Sequence, residues 1–146
     1  MAEGILKSLL SQRGINDIHV SSAGIGALSG MPATPFAIEA ARHWNVDISG
    51  HRARQLTRQI VEDSDLILAM SQEHVETVLQ KSETAAARTF LIKAFPAAYS
   101  SSQQAVQDPI GGYLENYNQT YLELDEIIRK IEGKVIEMAG SLKRDP

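Results

Sequence analysis

"DLILAMSQEHV", residues 65–75, holds the pattern on which the fold turns. Leu66 to Met70 is a continuous apolar run of strand length, bounded by Asp65 and Ser71, and such a run suits a strand covered on both faces. Ser71 then offers a hydroxyl to the free N–H groups of a new helix, predicted to run through Val78 and Leu79. A buried strand that feeds a capped helix is one half of a βαβ unit. Downstream, "RTFLIKAF" (88–95) reads as the next strand. Upstream, "RQIVEDS" predicts a short helix, and "MPATPFAIEAARHWNV" offers Thr34 as cap and Pro35 at the first helical position, which predicts a helix over 35–45. "INDIHVSSAG" predicts a strand over 17–22. Alternating helices and strands imply an α/β protein, a parallel sheet with helices on both faces.

The ends of the chain are helical. In "MAEGILKSLL" the residues Ile5, Leu6, Leu9 and Leu10 form one apolar stripe, and the helix is under way by residue 2 with no capping side chain ahead of it. At the other end Tyr117, Tyr121, Leu124, Ile128, Ile131, Val135 and Met138 alternate steps of four and three, the stripe of a single long helix. Between this helix and the last predicted strand, residues 96–112 form one long loop rich in Pro, Ser, Gln and Gly, a length that functional loops commonly have. A helix that opens the chain is unusual here. Right-handed crossovers place the helices of a parallel sheet after a strand, so a strand is missing ahead of the first helix.

Bulk properties narrow the class. The 146 residues suit one domain, with 43% hydrophobic and 22% charged residues, and no repeat or linker divides them. No apolar run approaches the length of a membrane span, and the N-terminus lacks the basic head and apolar core of a secretory signal, which points to the cytoplasm. A formal charge of −4 without a clustered basic surface argues against nucleic acid as a partner. Cysteine is absent, so no disulfide, thiolate metal site or cysteine nucleophile is available within these residues.

The chemical candidates are few. "GIGALSG" places Gly24, Gly26 and Gly30 after a predicted strand, but no helix opens at once to hold a pyrophosphate, so a surface loop is the better reading. His19, His43, His51 and His74 show no metal-ligand spacing, and no metal or cofactor is expected. His51 lies in "SGHRARQ" beside Arg52 and Arg54, either a solvated basic loop or a group near converging strand ends. Asp108 precedes Pro109 in "QDPIGG" and is thereby kept out of helical geometry. It either begins an ordinary turn or holds a carboxyl group over a pocket as a general acid.

Taken in order, "MAEGILKSLL", "VSSAG", "GHRARQLT", "DLILAMSQEHV" and "DPIGG" with its long helix resemble the low-molecular-weight protein-tyrosine-phosphatases over essentially the whole chain. The resemblance implies a four-stranded parallel sheet and metal-free hydrolysis of phosphate monoesters through a cysteinyl-phosphate. It implies that Asp108 is the general acid, that Ser22 and His51 stiffen the phosphate-binding loop from behind, and that residues 27–33 form part of the pocket rim. Phosphorylated protein is the implied partner, carrying phosphotyrosine or, as in bacterial arginine phosphatases of the same fold, phosphoarginine. The arsenate reductase branch needs further cysteines and is excluded by their absence.

The family's first strand and its Cys-x-x-x-x-x-Arg loop precede the position that Met1 matches. The chain is therefore expected to be an N-terminally truncated phosphatase domain over residues 1–146, inactive as written, with the natural product starting upstream. A pseudophosphatase that keeps the surface as a binding module is the second reading. A nucleotide-binding or structural α/β protein is the third.

Overall fold

Ile67–Ala69 (β1) pairs in parallel with Thr89–Leu91 (β2), in the register Ile67 to Thr89, Leu68 to Phe90 and Ala69 to Leu91. The computed structural model describes residues 1–97 and 105–143, so part of the long loop predicted over 96–112 lies outside the described residues. The chain groups into two compact units: residues 1–22, 32–51 and 108–146 form one, residues 23–31 and 52–107 the other.

The unit that holds the strands follows the sequence closely. Thr57 Oγ1 accepts from Ile60 N at 3.2 Å and starts the short helix Arg58–Glu62 (α3). Ser71 Oγ accepts from His74 N at 3.4 Å and starts Gln72–Lys81 (α4), the cap that "SQEHV" predicts. A 3-10 turn, Glu83–Arg88, follows α4 and was not foreseen, because "ETAAAR" has no apolar periodicity of its own. Two apolar clusters result, Val61 with Val78 and Ala85, and Ala69 with Val75 and Leu91. Apart from Ala85, which the 3-10 turn supplies, they are built from the runs whose pattern announced them. Arg88 fastens this unit by polar contacts: its guanidinium donates to the carbonyls of Ser64 (2.8 Å), Thr84 (2.9 Å) and Val61 (3.3 Å), joining the end of α3 to the 3-10 turn.

The other unit contains three amphipathic helices. Ala2–Gln12 (α1) buries Ile5, Leu6, Leu9 and Leu10 and starts without a side-chain cap, as its sequence implies. Pro35–His43 (α2) starts where Thr34 Oγ1 accepts from Ala37 N at 3.3 Å, and it ends at His43, two residues short of the predicted limit, because Asn45 adopts a left-handed conformation. Leu114–Leu142 (α5) buries the predicted stripe from Tyr117 to Val135, with Met138 only half-buried. It packs against both α1 and α2. Trp44 stacks on Tyr121 with ring centroids 6.4 Å apart, and Phe36 meets Tyr117 edge to face. Burial and the neighbouring Asp125 carboxylate push the Tyr121 phenol up to about 12, so Tyr121 is a neutral packing residue.

The strand predicted over 17–22 does not form. Ile18 and Val20 are half-buried while His19 and Ser21 are exposed, the alternation of an extended segment, but no strand pairs with it among the described residues. A strand exists through its ladder, and β-favouring residues alone do not supply one. The described sheet accordingly has two strands, where the resemblance implied four.

Candidate functional site

Glu3 sits in the first turn of α1, and helical geometry sets Lys7 one turn beyond it on the same face. Glu3 Oε1 accepts from Lys7 Nζ at 2.5 Å, and Oε2 accepts from the Ser22 hydroxyl at 2.5 Å. His51 Nδ1 stands 3.5 Å from the same Oε2. Burial by itself would push the Glu3 carboxyl up. The hydrogen bonds from Lys7 and Ser22, with the positive charge of Lys7 and of His51 when protonated, outweigh it and hold Glu3 below its ordinary value.

Two devices deliver Ser22 and His51 to this point. Gly4 is the first: a Cβ there would stand 2.6 Å from Ile48 Cγ2 and 3.1 Å from Val46 Cγ1, so only glycine lets residues 46–48 lie directly on α1. An Asx turn at Asp47, whose Oδ1 accepts from Ser49 N at 2.9 Å, and a turn from Ile48 O to His51 N at 3.1 Å then carry the chain back toward Glu3. The second device is a pair of ion pairs beyond the end of α1. Arg13 donates to Glu132 Oε1 of α5 at 2.6 Å, and Asp17 binds Lys143. They tie down the segment that leads back to Ser22.

Asp108 belongs to the same unit and is exposed. Its Oδ1 accepts from Ile110 N at 3.0 Å, Gly112 N bonds Pro109 O at 2.9 Å, and Gly111 has a φ of +79°. Gly112 is pressed against Pro109 O and Asn116 Oδ1, where a Cβ would come within 2.9 Å and 2.8 Å, and Asn116 Oδ1 accepts from Tyr113 N at 2.8 Å as α5 begins. The Asp-Pro turn is therefore built into the start of the longest helix. Ile110 and Tyr113 stand exposed on either side of its glycines, at 72% and 82%.

In the other unit, the glycine loop from Gly24 is pinned to residues 53–56. Gly24 N bonds Arg54 O at 3.0 Å, Leu56 N bonds Gly24 O at 2.8 Å, and Gly30 N bonds Ala53 O at 2.8 Å with a Gly30 φ of +88°. Leu28 and Met31, which fall within the stretch expected to form a rim, are exposed. Among the described residues no group of three His, Asp or Glu side chains is arranged to hold a metal ion, and no helix is long and apolar enough to cross a membrane.

Ser22 and His51 thus meet on one carboxylate, while Asp108 is held by its own turn. The sequence reading missed Glu3, and its signal was available: an acidic residue in the first turn of an uncapped helix.

Parallel strands linked through helices make this an α/β protein. The chain belongs to the low molecular weight phosphotyrosine protein phosphatase family, whose model matches residues 1–146. A protein-arginine-phosphatase of Bacillus subtilis is 32% identical over 145 residues, 99% of this chain and 89% of its own length. The low molecular weight protein-tyrosine-phosphatase Wzb of Escherichia coli is 30% identical over 121 residues, 83% of this chain and 79% of its own. The crystal structure of a low molecular weight protein tyrosine phosphatase from T. tengcongensis superposes with a TM-score of 0.81 at 34% identity, covering 91% of this chain and 88% of that one.

Proposed function

We propose that this chain is the body of a cytoplasmic protein phosphatase, a single domain over residues 1–146 that hydrolyses phosphoprotein when the family's Cys-x-x-x-x-x-Arg loop precedes it. Asp108 then acts as general acid, protonating the leaving oxygen and later helping water attack the phosphoenzyme. Ser22 and His51 brace the phosphate loop. The observation that carries this reading is family membership over all 146 residues, combined with a count of zero cysteines. Without a thiolate there is no nucleophile, and without the loop its backbone N–H groups cannot hold the transferring phosphoryl group.

Phosphotyrosine is the first substrate class. Phosphoarginine is the second, favoured by the similarity to a protein-arginine-phosphatase over 99% of the chain and by the small residues Gly111 and Gly112 after the Asp-Pro turn. Turnover of an aryl phosphate and of a phosphoarginine peptide, by the 146-residue chain and by a form extended upstream through the loop, tests both points. The extended form is expected to turn over one of them and the short form neither. Phosphate release by the purified short chain at enzymatic speed would overturn the proposal.

A further inference from the structure

α2 turns Ala37, Ala40 and Ala41 inward, which leaves Phe36, Glu39, Arg42 and His43 on its outer side. A large ring stands at each end of that side. Phe36 is 41% exposed and Trp44, just past the helix, is 49% exposed. Neither ring is loose: Phe36 rests edge to face on Tyr117, Trp44 is stacked on Tyr121, and both tyrosines are buried in the stripe of α5. A ring already fixed from behind loses little freedom when its open side is covered, which suits it to anchor an association.

Between the rings lie one anion and one cation. Glu39 and Arg42 are three positions apart on the exposed side, and Arg42 also lies within electrostatic reach of Asp47. The order along the helix is ring, anion, cation, ring, and such a row is complementary to its own reverse. In an antiparallel pair of identical helices, a two-fold axis midway between Glu39 and Arg42 sets each carboxylate on the other copy's guanidinium. That axis also falls within half a residue of the midpoint between Phe36 and Trp44, so the rings come together by the same operation. A parallel pair would set like charge on like.

We propose that the outer side of α2 is a self-association surface, on which two copies of this chain pack antiparallel with Glu39 against Arg42 and Phe36 against Trp44, each contact occurring twice. A helix of nine residues offers a small face, so the dimer belongs to the weak, concentration-dependent class. It uses no residue of the phosphatase reading, and the two fail separately.

Sedimentation of the 146-residue chain over a dilution series tests the proposal, with its single tryptophan, Trp44, as a second readout. A monomer–dimer equilibrium is expected, with Trp44 emission moving to shorter wavelength as the dimer forms. Glu39→Arg or Arg42→Glu, each at an exposed position and checked for folding by circular dichroism, turns both charge contacts repulsive and is expected to weaken association about tenfold. Mixing these two variants sets a face with two cations against a face with two anions and is expected to restore pairing, as is the combination of both substitutions in one chain. A chain that stays monomeric throughout the series would overturn the proposal, and so would a dimer that both single variants leave intact. Weakening by each variant without recovery in the mixture would overturn the antiparallel arrangement.

Discussion

The unit with the strands and the unit with Glu3 are held by contacts of different reach. In the first, β1 and α4 are neighbours in sequence, Ser71 caps the helix that starts beside it, and the two apolar clusters come from runs within residues 56–94. In the second, Ser22 bonds Glu3 across 19 positions and Arg13 bonds Glu132 across 119. Local pattern suffices for the former. The latter depends on polar groups whose partners no window of sequence contains.

The largest effect should come where both kinds of contact coincide, on α5. Ile128 is 2% exposed and lies on the stripe that the sequence announces. Ile128→Ala is expected to cost about 3 kcal/mol, from lost transfer energy and the cavity left behind. Urea unfolding measures it, and a loss below about 1 kcal/mol would mean that the helix stripe is not the anchor of this unit.

Arg13→Met comes next and separates polar reach from apolar packing. The Arg13 side chain is 55% exposed while that of Glu132 is 9% exposed, and Glu132 Oε2 makes no hydrogen bond. Removing the guanidinium strands a buried carboxylate, expected to cost about 2 kcal/mol, less than a fully buried pair because water already reaches Arg13. Adding Glu132→Gln should recover about half. If the double variant is no more stable than Arg13→Met, the stranded charge is not the cause.

These contrasts explain what could be read in advance. The α/β class, α1, α2, α4, α5 and the strand pair follow from stripes, caps and apolar runs, all of them local. Ser22 entered through family resemblance alone; His51 and Asp108 were singled out by their own loops with a bland reading beside each, and the resemblance gave them their roles. The position of Glu3 in the first turn of α1 was legible, but its meeting with Ser22 and His51 was not, because a return of the chain that only tertiary packing fixes brings them to it. The strand over 17–22 was overread for the converse reason: Ile18 and Val20 have β-favouring side chains, and side chains do not supply a ladder.

Gly4→Ala should have the smallest effect on stability, because two terms oppose each other. Alanine gains up to about 1 kcal/mol of helix propensity, Gly4 lying in the first turn of α1. Its Cβ would stand 2.6 Å from Ile48 Cγ2, a methyl on a β-branched side chain too stiff to swing aside, and such overpacking costs about 2 kcal/mol. A net loss of about 1 kcal/mol is expected, and in the Ile48→Ala background the sign should reverse, since the propensity gain remains while only the looser 3.1 Å approach to Val46 Cγ1 is left. His51 provides the independent readout: residues 46–48 must move off α1 in Gly4→Ala alone, which carries the imidazole away from Glu3, and the His51 ring NMR signals should shift in the single variant and return toward the parent in the double. Unchanged ring signals in Gly4→Ala would show that the approach of residues 46–48 to α1 does not set the Glu3 centre, and the link between the glycine and the site would fall.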